Sequence, residues 1–297
     1  MKRNKKICIF SIVLLIILIL GTIFGIKSHK NTKLIQLTNN SKSQMMGYVI
    51  KTDNDKIIVI DGGTDQDTEN LITNVKKYGT KVDAWFITHP HQDHASCIIN
   101  VLENNSLDVD KIYVSLNDKD WYEKYGAGRE NEAFRLIDAL GKDNVKDKVE
   151  EVSLNEEITI DNVKCKILGI KNPEITENAI NNSSMIIKMD TGKNTVLFLG
   201  DTGEESSKKV IKNQKENLKA DIVQVAHHGQ RGATEDLYDL VNPKICLWPT
   251  TDWLWNNDSG NGEDSGNFKT KETRSWFDKL NIKLNVVAKN GNIAITI

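Results

Sequence analysis

The sequence predicts a mixed α/β domain carried behind one N-terminal transmembrane helix, and three observations lead there. Residues 7–26 form an uncharged apolar run behind a basic cluster. Residues 34–297 alternate short β-patterned runs with amphipathic helical ones, and the second part of that region repeats the plan of the first. With 39% hydrophobic and 27% charged residues, the 297-residue chain has the composition of an ordinary globular protein, which excludes a disordered or fibrous class.

Lys2, Arg3, Lys5 and Lys6 precede the apolar run. Twenty helical residues at about 1.5 Å each cover the roughly 30 Å hydrocarbon core of a bilayer. The expectation is a cytoplasmic segment over 1–6, a signal anchor over 7–26, a linker over 27–33 and a single folded domain over 34–297. That domain would lie outside a cell membrane crossed once, because the basic flank stays inside. A cleaved signal peptide fits less well: its apolar region is usually about 7–15 residues long, and no small-x-small site follows here. Residues 1–30 hold six Lys/Arg and no Asp/Glu, leaving 33 basic against 41 acidic groups beyond them, a net charge of −8. An acidic domain of this kind lacks the basic footprint of a general nucleic-acid binder. Cys97, Cys165 and Cys246 are odd in number and unclustered, so they read as small buried hydrophobes and not as a disulfide framework or a cysteine zinc site.

Taken in order, residues 34–37, 47–51 and 56–60 have strand patterns, the last two joined by the turn Asp53-Asn54-Asp55 into a hairpin. The second strand stops at Asp61-Gly62-Gly63. Leu71, Ile72, Val75 and Tyr78 have helical spacing, with Gly79 as the expected C′ residue. Residues 82–87 read as a strand, 95–103 as a helix and 110–116 as a strand. Residues 118–141 are helical but interrupted at Gly126-Ala127-Gly128, as a lid or a packing pair. Strands follow over 149–154, 158–160 and 163–170, then a hairpin over 184–189 and 195–199 that ends at Gly200-Asp201. A charged helix over 204–217 leads to a strand over 221–226 ending at His227-His228-Gly229. Both halves therefore run hairpin, acidic turn, helix, histidine-delivering strand. The last runs, 284–288 and 292–297, suggest an edge hairpin.

Five of the six histidines fall in two places, Thr88-His89-Pro90-His91-Gln92-Asp93-His94 and His227-His228. In extended backbone, residues i and i+2 point the same way, so His89 and His91 can offer nitrogens to one metal. Asp93 and His94, at the start of the helix, can face a second. Two zinc ions about 3.5–4 Å apart clamp an attacked group and activate water between them. The plain alternative, a polar loop with Asp93 as helix N-cap, leaves three histidines after a buried strand without a reason.

The His89–His94 stretch resembles the HxHxDH signature of the metallo-β-lactamase superfamily. Asp61-Gly62-Gly63 is similar to that family's first strand-end turn, Gly200-Asp201 to its bridging aspartate and His227-His228-Gly229 to its final metal motif. The resemblance implies an αββα sandwich with the site at the strand ends and two divalent metal ions, zinc foremost with manganese as the other candidate. His89 and His91 would hold the first, Asp93 and His94 the second. Asp201 would bridge both, and His228, or else His227, would complete the second site. No histidine occurs between His94 and His227, where most members have one; Asn181-Asn182-Ser183-Ser184 stands there instead. This resembles the N-x-x-S variant of the hydrolase domains of DNA-uptake competence proteins and phosphorylcholine esterases. That variant implies Asn181 and Ser184 lining the site. In the wider family pattern His227 would touch substrate or support a ligand from behind, and Asp93 or a neighbour would manage the proton.

The expected activity is a membrane-anchored extracellular phosphodiesterase using a dinuclear metal-activated hydroxide. Its substrate would be a small molecule or a nucleic acid. Two alternatives stand beside it: a hydrolase of lactam, lactone or thioester substrates, and a metal-binding surface protein without catalysis. Arg231, beside the histidine pair, is a candidate for an anionic group, Glu204 for support of Asp201, and Trp248, Trp253 and Trp255 for a cleft lining or a core.

Overall fold

Period-two alternation in the apolar runs sorts each strand's side chains between two cores. The computed structural model describes residues 31–297. The expected span at 7–26, its basic flank and most of the linker lie outside them. Among the described residues no helix is long and apolar enough to cross a membrane.

The first half runs β1 (Lys33–Gln36), β2 (Gly47–Lys51), β3 (Ile57–Asp61), α1 (Thr68–Lys76), β4 (Lys81–Val82), β5 (Ala84–Phe86), α2 (Gln92–Asn104), β6 (Asp108–Val109), β7 (Ile112–Val114), α3 (Lys119–Tyr125), α4 (Glu130–Leu140) and β8 (Val149–Glu151). The second runs β9 (Glu157–Ile160), β10 (Val163–Gly169), α5 (Ala179–Asn182), β11 (Ile186–Asp190), β12 (Thr195–Phe198), α6 (Glu204–Gln214), β13 (Ile222–Gln224), α7 (Glu235–Val241), β14 (Ile245–Trp248), α8 (Asp252–Trp255), α9 (Thr270–Phe277), β15 (Leu284–Val287) and β16 (Ile293–Thr296).

Two seven-stranded sheets result, in the orders β16-β1-β2-β3-β5-β7-β8 and β9-β10-β11-β12-β13-β14-β15. Read this way, each begins with three antiparallel pairings and ends with three parallel ones. The duplicated plan in the sequence is therefore a duplicated topology: β2 and β3 correspond to β11 and β12, and β5 to β13. Tyr48, Ile50, Ile58, Ile60 and Phe86 face Cys165, Ile187, Val196 and Phe198 in the core between the sheets. Their neighbours Val49, Val59 and Trp85 turn the other way, onto Leu71, Ile98 and Leu136 of α1, α2 and α4. Leu197, Val223 and Cys246 do the same against Val210, Leu237 and Phe277 of α6, α7 and α9. The layers are helices, sheet, sheet, helices, as expected. Cys97, Cys165 and Cys246 are free and buried, the small hydrophobes the sequence suggested.

Three local expectations need correction. The last two strands are not a hairpin: β15 adds in parallel to β14 at the edge of the second sheet, whereas β16 adds to β1 at the edge of the first. The buried Gln36 side chain on β1 helps hold these edges together, donating to the carbonyls of Trp248 and Val286. The run 82–87 is broken at Asp83, whose carboxylate accepts the Ile57 N–H and the Lys56 ammonium, so β4 pairs with β6 and only β5 enters the main sheet. At the end of α1, Lys77 caps in right-handed geometry, and Gly79 lies one turn beyond Val75, whose carbonyl it meets, without serving as a left-handed C′ residue.

Candidate metal centre

The site forms where β3, β5, β12 and β13 end on the same side of the two sheets. β5 delivers Thr88 and His89, and α2 begins at Gln92 with His91 as its extended N-cap residue. Asp93 and His94 thus sit in the first turn of that helix. Asp93 does not cap it: its Oδ2 lies 3.2 Å from His228 Nε2 instead. β12 ends at Gly200 and Asp201. Gly200 has φ +56°, and a Cβ there would come within 3.0 Å of Ser184 and Thr88, so the turn that aims Asp201 requires glycine. β13 leads to His227 and His228 at φ +50° and +54°, and Asp61 sits at +51°. Left-handed backbone at a non-glycine residue costs on the order of 1–3 kcal/mol, and here three such residues converge on one centre.

His89, His94 and Asp201 place ligand atoms within 4.8 Å of one another, as do Asp93, His94 and His228. Asp201 stands between the groups: Oδ1 is 3.2 Å from His94 Nε2, and Oδ2 is 3.5 Å from His228 Nε2 and 3.9 Å from His89 Nε2. His89 Nε2 faces His91 Nδ1 at 3.0 Å, near the roughly 3.3 Å separating two nitrogens bound tetrahedrally to one zinc. His94 Nε2, His228 Nε2 and Asp201 Oδ1 are buried and have no hydrogen-bond partner. Buried polar atoms are rarely left so, because each forfeits its hydration without a substitute. A cation bound among them would answer all three at once.

The far side of each ring supports this. His228 Nδ1 lies 2.8 Å from the Pro249 carbonyl, which can only accept, so Nδ1 keeps its proton and Nε2, facing the carboxylates, is the nitrogen that gives up its own to a metal. Asp61, fully buried, accepts from the Thr88 N–H, the Thr88 hydroxyl and His94 Nδ1, each at 2.7 Å. That fixes His94 with Nδ1 on Asp61 and Nε2 toward Asp201, so Nε2 is the nitrogen a metal would take. The Thr88 hydroxyl, its proton given to Asp61, can accept from His89 Nδ1 at 3.1 Å. Asp61 was legible in the sequence only as a turn residue. It occupies the position in the first half that Asp201 occupies in the second, and the duplicated plan was the signal for it.

Electrostatics point the same way. Burial opposes protonation of His228, yet Asp201 and Asp93 outweigh it and lift its pKa to about 9. His94 is raised for the same reason, by Asp201 and Asp61 against burial. Burial would raise Asp201, but the charges of His94, His228 and His227 hold it well below the usual carboxylate range. Without a metal, protons on imidazole balance these buried carboxylates; a divalent cation supplies the same charge and releases the protons.

A cleft of about 580 Å³ opens over the centre, reached by His91, Asp93, Asp201, Asn181 and His227. Asn181 Nδ2 donates to Asn178 Oδ1 and lies 3.4 Å from His227 Nε2, while its Oδ1 is buried without a partner. Ser184 is fully buried and does not line the cleft as the sequence suggested. It stands behind the centre, its hydroxyl accepting the Asp201 N–H and lying 3.3 Å from His89 Nδ1. Arg231 and Glu204 lie away from the cleft, in a depression with Glu235 and Trp276. Arg129, which the sequence gave no reason to single out, lines the cleft and is, among the described residues, its lining Lys or Arg. It follows the Gly126–Gly128 break, so the α3–α4 turn forms one wall. Of the three tryptophans, Trp248 is core, Trp255 meets it edge to face and lies under Arg274, and Trp253 reaches the cleft.

Comparison with known proteins agrees with this geometry. Residues 46–245 match the family model of the metallo-beta-lactamase superfamily. The chain is 27% identical over 171 residues to ComE operon protein 3 of Bacillus subtilis (strain 168), covering 56% of this chain and 20% of that one. It is 32% identical over 68 residues to the uncharacterized protein YcaI of Escherichia coli (strain K12), covering 23% and 9%. The chain thus spans a small part of the curated relatives it matches. Among solved structures, the metallo-beta-lactamase fold protein YhfI of Bacillus subtilis superposes with TM-score 0.52 at 11% identity, over 90% of this chain and all of that one. CmlA, a diiron beta-hydroxylase from Streptomyces venezuelae, superposes with TM-score 0.52 at 12% identity, over 91% and 55%. At such identities the likeness is one of fold.

Proposed function

Because the chain belongs to the metallo-β-lactamase superfamily of metal-dependent hydrolases, we propose that it hydrolyses a phosphodiester at a two-metal centre, zinc or manganese. His89, His91 and Asp201 would hold one ion; Asp93, His94, His228 and Asp201 the other. Such ions, when bound, activate water at neutral pH and neutralise charge on the attacked group. The observation that carries the phosphodiester reading is the half-site of two histidines and one carboxylate opening onto a cleft whose lining cation is Arg129. A planar guanidinium suits a phosphate oxygen. Glu132 lies 3.2 Å from Arg129 and holds it at the rim.

Around the reacting group, the partnerless Asn181 Oδ1 can accept a hydrogen bond from a bound water or substrate hydroxyl. His227, 3.9 Å from Asp201 and beside Asn181, can meet the leaving group. Burial lowers its pKa, with Asp201 acting against that, so it enters as a neutral imidazole. Asp93, with 16% of its side chain exposed at the cleft floor, can take the proton from attacking water.

The protein with added Zn²⁺ or Mn²⁺ is expected to cleave bis-p-nitrophenyl phosphate, and His91→Ala to lose most of that activity. No cleavage, or equal cleavage by the variant, would sink the reading. Turnover of nitrocefin or a thioester in its place would establish the carbon-substrate alternative.

A further inference from the structure

A second cavity, about 670 Å³, adjoins the metal cleft and shares two residues with it, Trp253 and Phe268. Their rings meet edge to face with centroids 5.1 Å apart, and both are half-buried. Trp253 Nε1 donates to the Lys42 carbonyl at 2.7 Å, which pins the indole between the 41–44 segment and α8. That segment also runs between the cavities: Ser41 and Lys42 line the second, Gln44 the first. The two spaces are therefore neighbours across one aromatic partition, and a substrate with its phosphate at the metals has room to extend past it.

We propose that this cavity is a subsite for a planar aromatic group carried on the phosphodiester, a nucleobase, stacked on the Trp253–Phe268 pair. The proposal rests on the phosphodiesterase reading. Both rings have π-faces to offer, and stacking tolerates any base. The charges around the cavity separate a base from the other group that aromatic rings recognise, a quaternary ammonium. Lys289 is paired with Asp252 at 2.9 Å, and the Asp258 carboxylate is occupied by the N–H groups of Gly260 and Gly262. Asp258 keeps its charge under those bonds and Lys42 offsets it, so the lining carries no net negative charge of the kind that holds a quaternary ammonium, while Lys42 offers a cation to a phosphate next to a base.

Three probes test this: thymidine 5′-(p-nitrophenyl phosphate), methyl p-nitrophenyl phosphate and p-nitrophenylphosphorylcholine. The wild-type protein is expected to prefer the thymidine ester over the methyl ester in kcat/KM by about 5- to 150-fold, the range that base stacking on an aromatic ring supports. Trp253→Ala should bring that ratio near one, and Trp253→Phe should keep most of it. Equal kcat/KM for the two esters, a ratio unmoved in Trp253→Ala, or a choline preference that Trp253→Ala removes would each overturn the proposal. Should no ester be cleaved, the hydrolytic reading fails by itself, and the subsite is read by binding. Thymidine monophosphate and oligothymidylate are then expected to quench tryptophan fluorescence saturably, less so in Trp253→Phe. Absence of quenching, or unchanged quenching in the variant, overturns it.

Discussion

Asp201→Ala is expected to abolish metal-dependent hydrolysis and to cut the bound metal from two equivalents to one or none. Its two oxygens face different histidines, Oδ1 toward His94 and Oδ2 toward His89 and His228, so one substitution removes a ligand from both groups. Substituting residues that merely support ligands typically costs about 10–100-fold in affinity or activity, and loss of a shared ligand should exceed that. Stability reports the same event. A metal present at about a thousand times its Kd stabilises the folded chain by about 4 kcal/mol, or roughly 10 °C in Tm for a domain of this size. The wild type should show that rise on adding Zn²⁺ and lose it with a chelator, whereas Asp201→Ala should show little of either. Wild-type metal content and turnover in the variant would contradict the shared-ligand assignment.

Asp61→Asn is expected to weaken metal binding by about 10–100-fold while leaving the fold intact, although Asp61 touches no metal in this account. Its Oδ1 must accept from the Thr88 N–H, a donor that cannot reverse. The asparagine oxygen therefore takes that place, and the new NH₂ takes the place of Oδ2, facing the Thr88 hydroxyl and His94 Nδ1. Nδ1 must then accept, which moves the imidazole proton to Nε2, the atom facing Asp201. A protonated nitrogen has no lone pair for a metal. Nitrogen-15 NMR of the histidines reads the tautomer, calorimetric titration the affinity and circular dichroism the fold. Asp61→Ala should instead cost an additional 1–3 kcal/mol or so of stability, because buried donors on Thr88 lose their acceptor. An Asn variant that binds metal as tightly as wild type would reduce Asp61 to a residue of the fold.

Much of this was legible in the sequence, for reasons that also mark where it stopped. Strands buried on both faces read as short continuous apolar runs, and turn residues on either side mark their ends, so β2 and β3 were visible nearly to the residue. Asp83 hid the break between β4 and β5, because a single charged residue inside an apolar run says nothing about which backbone it will cap. The apparent terminal hairpin failed because proximity in sequence cannot tell one sheet edge from another; Gln36, far upstream, binds the two edges. In the site, residues that are chemically conspicuous and closely spaced, His89 to His94, declared themselves. Asp61, Thr88 and Pro249 did not, since their part depends on which ring nitrogen they meet in space. Choosing His228 over His227 likewise needed the Pro249 carbonyl behind it. Arg129 reaches the cleft only because the Gly126–Gly128 break turns α4 back over α2, whereas Arg231, adjacent to the histidines in sequence, is turned away from them.

The measurement that bears most directly on the account is anomalous X-ray diffraction from crystals of the protein loaded with Zn²⁺ or Mn²⁺. The account predicts two peaks flanking Asp201, one beside His89 and His91, the other beside Asp93, His94 and His228, with His227 ligating neither. No peak at the strand ends, or a metal held by His227 in place of His228, would contradict it.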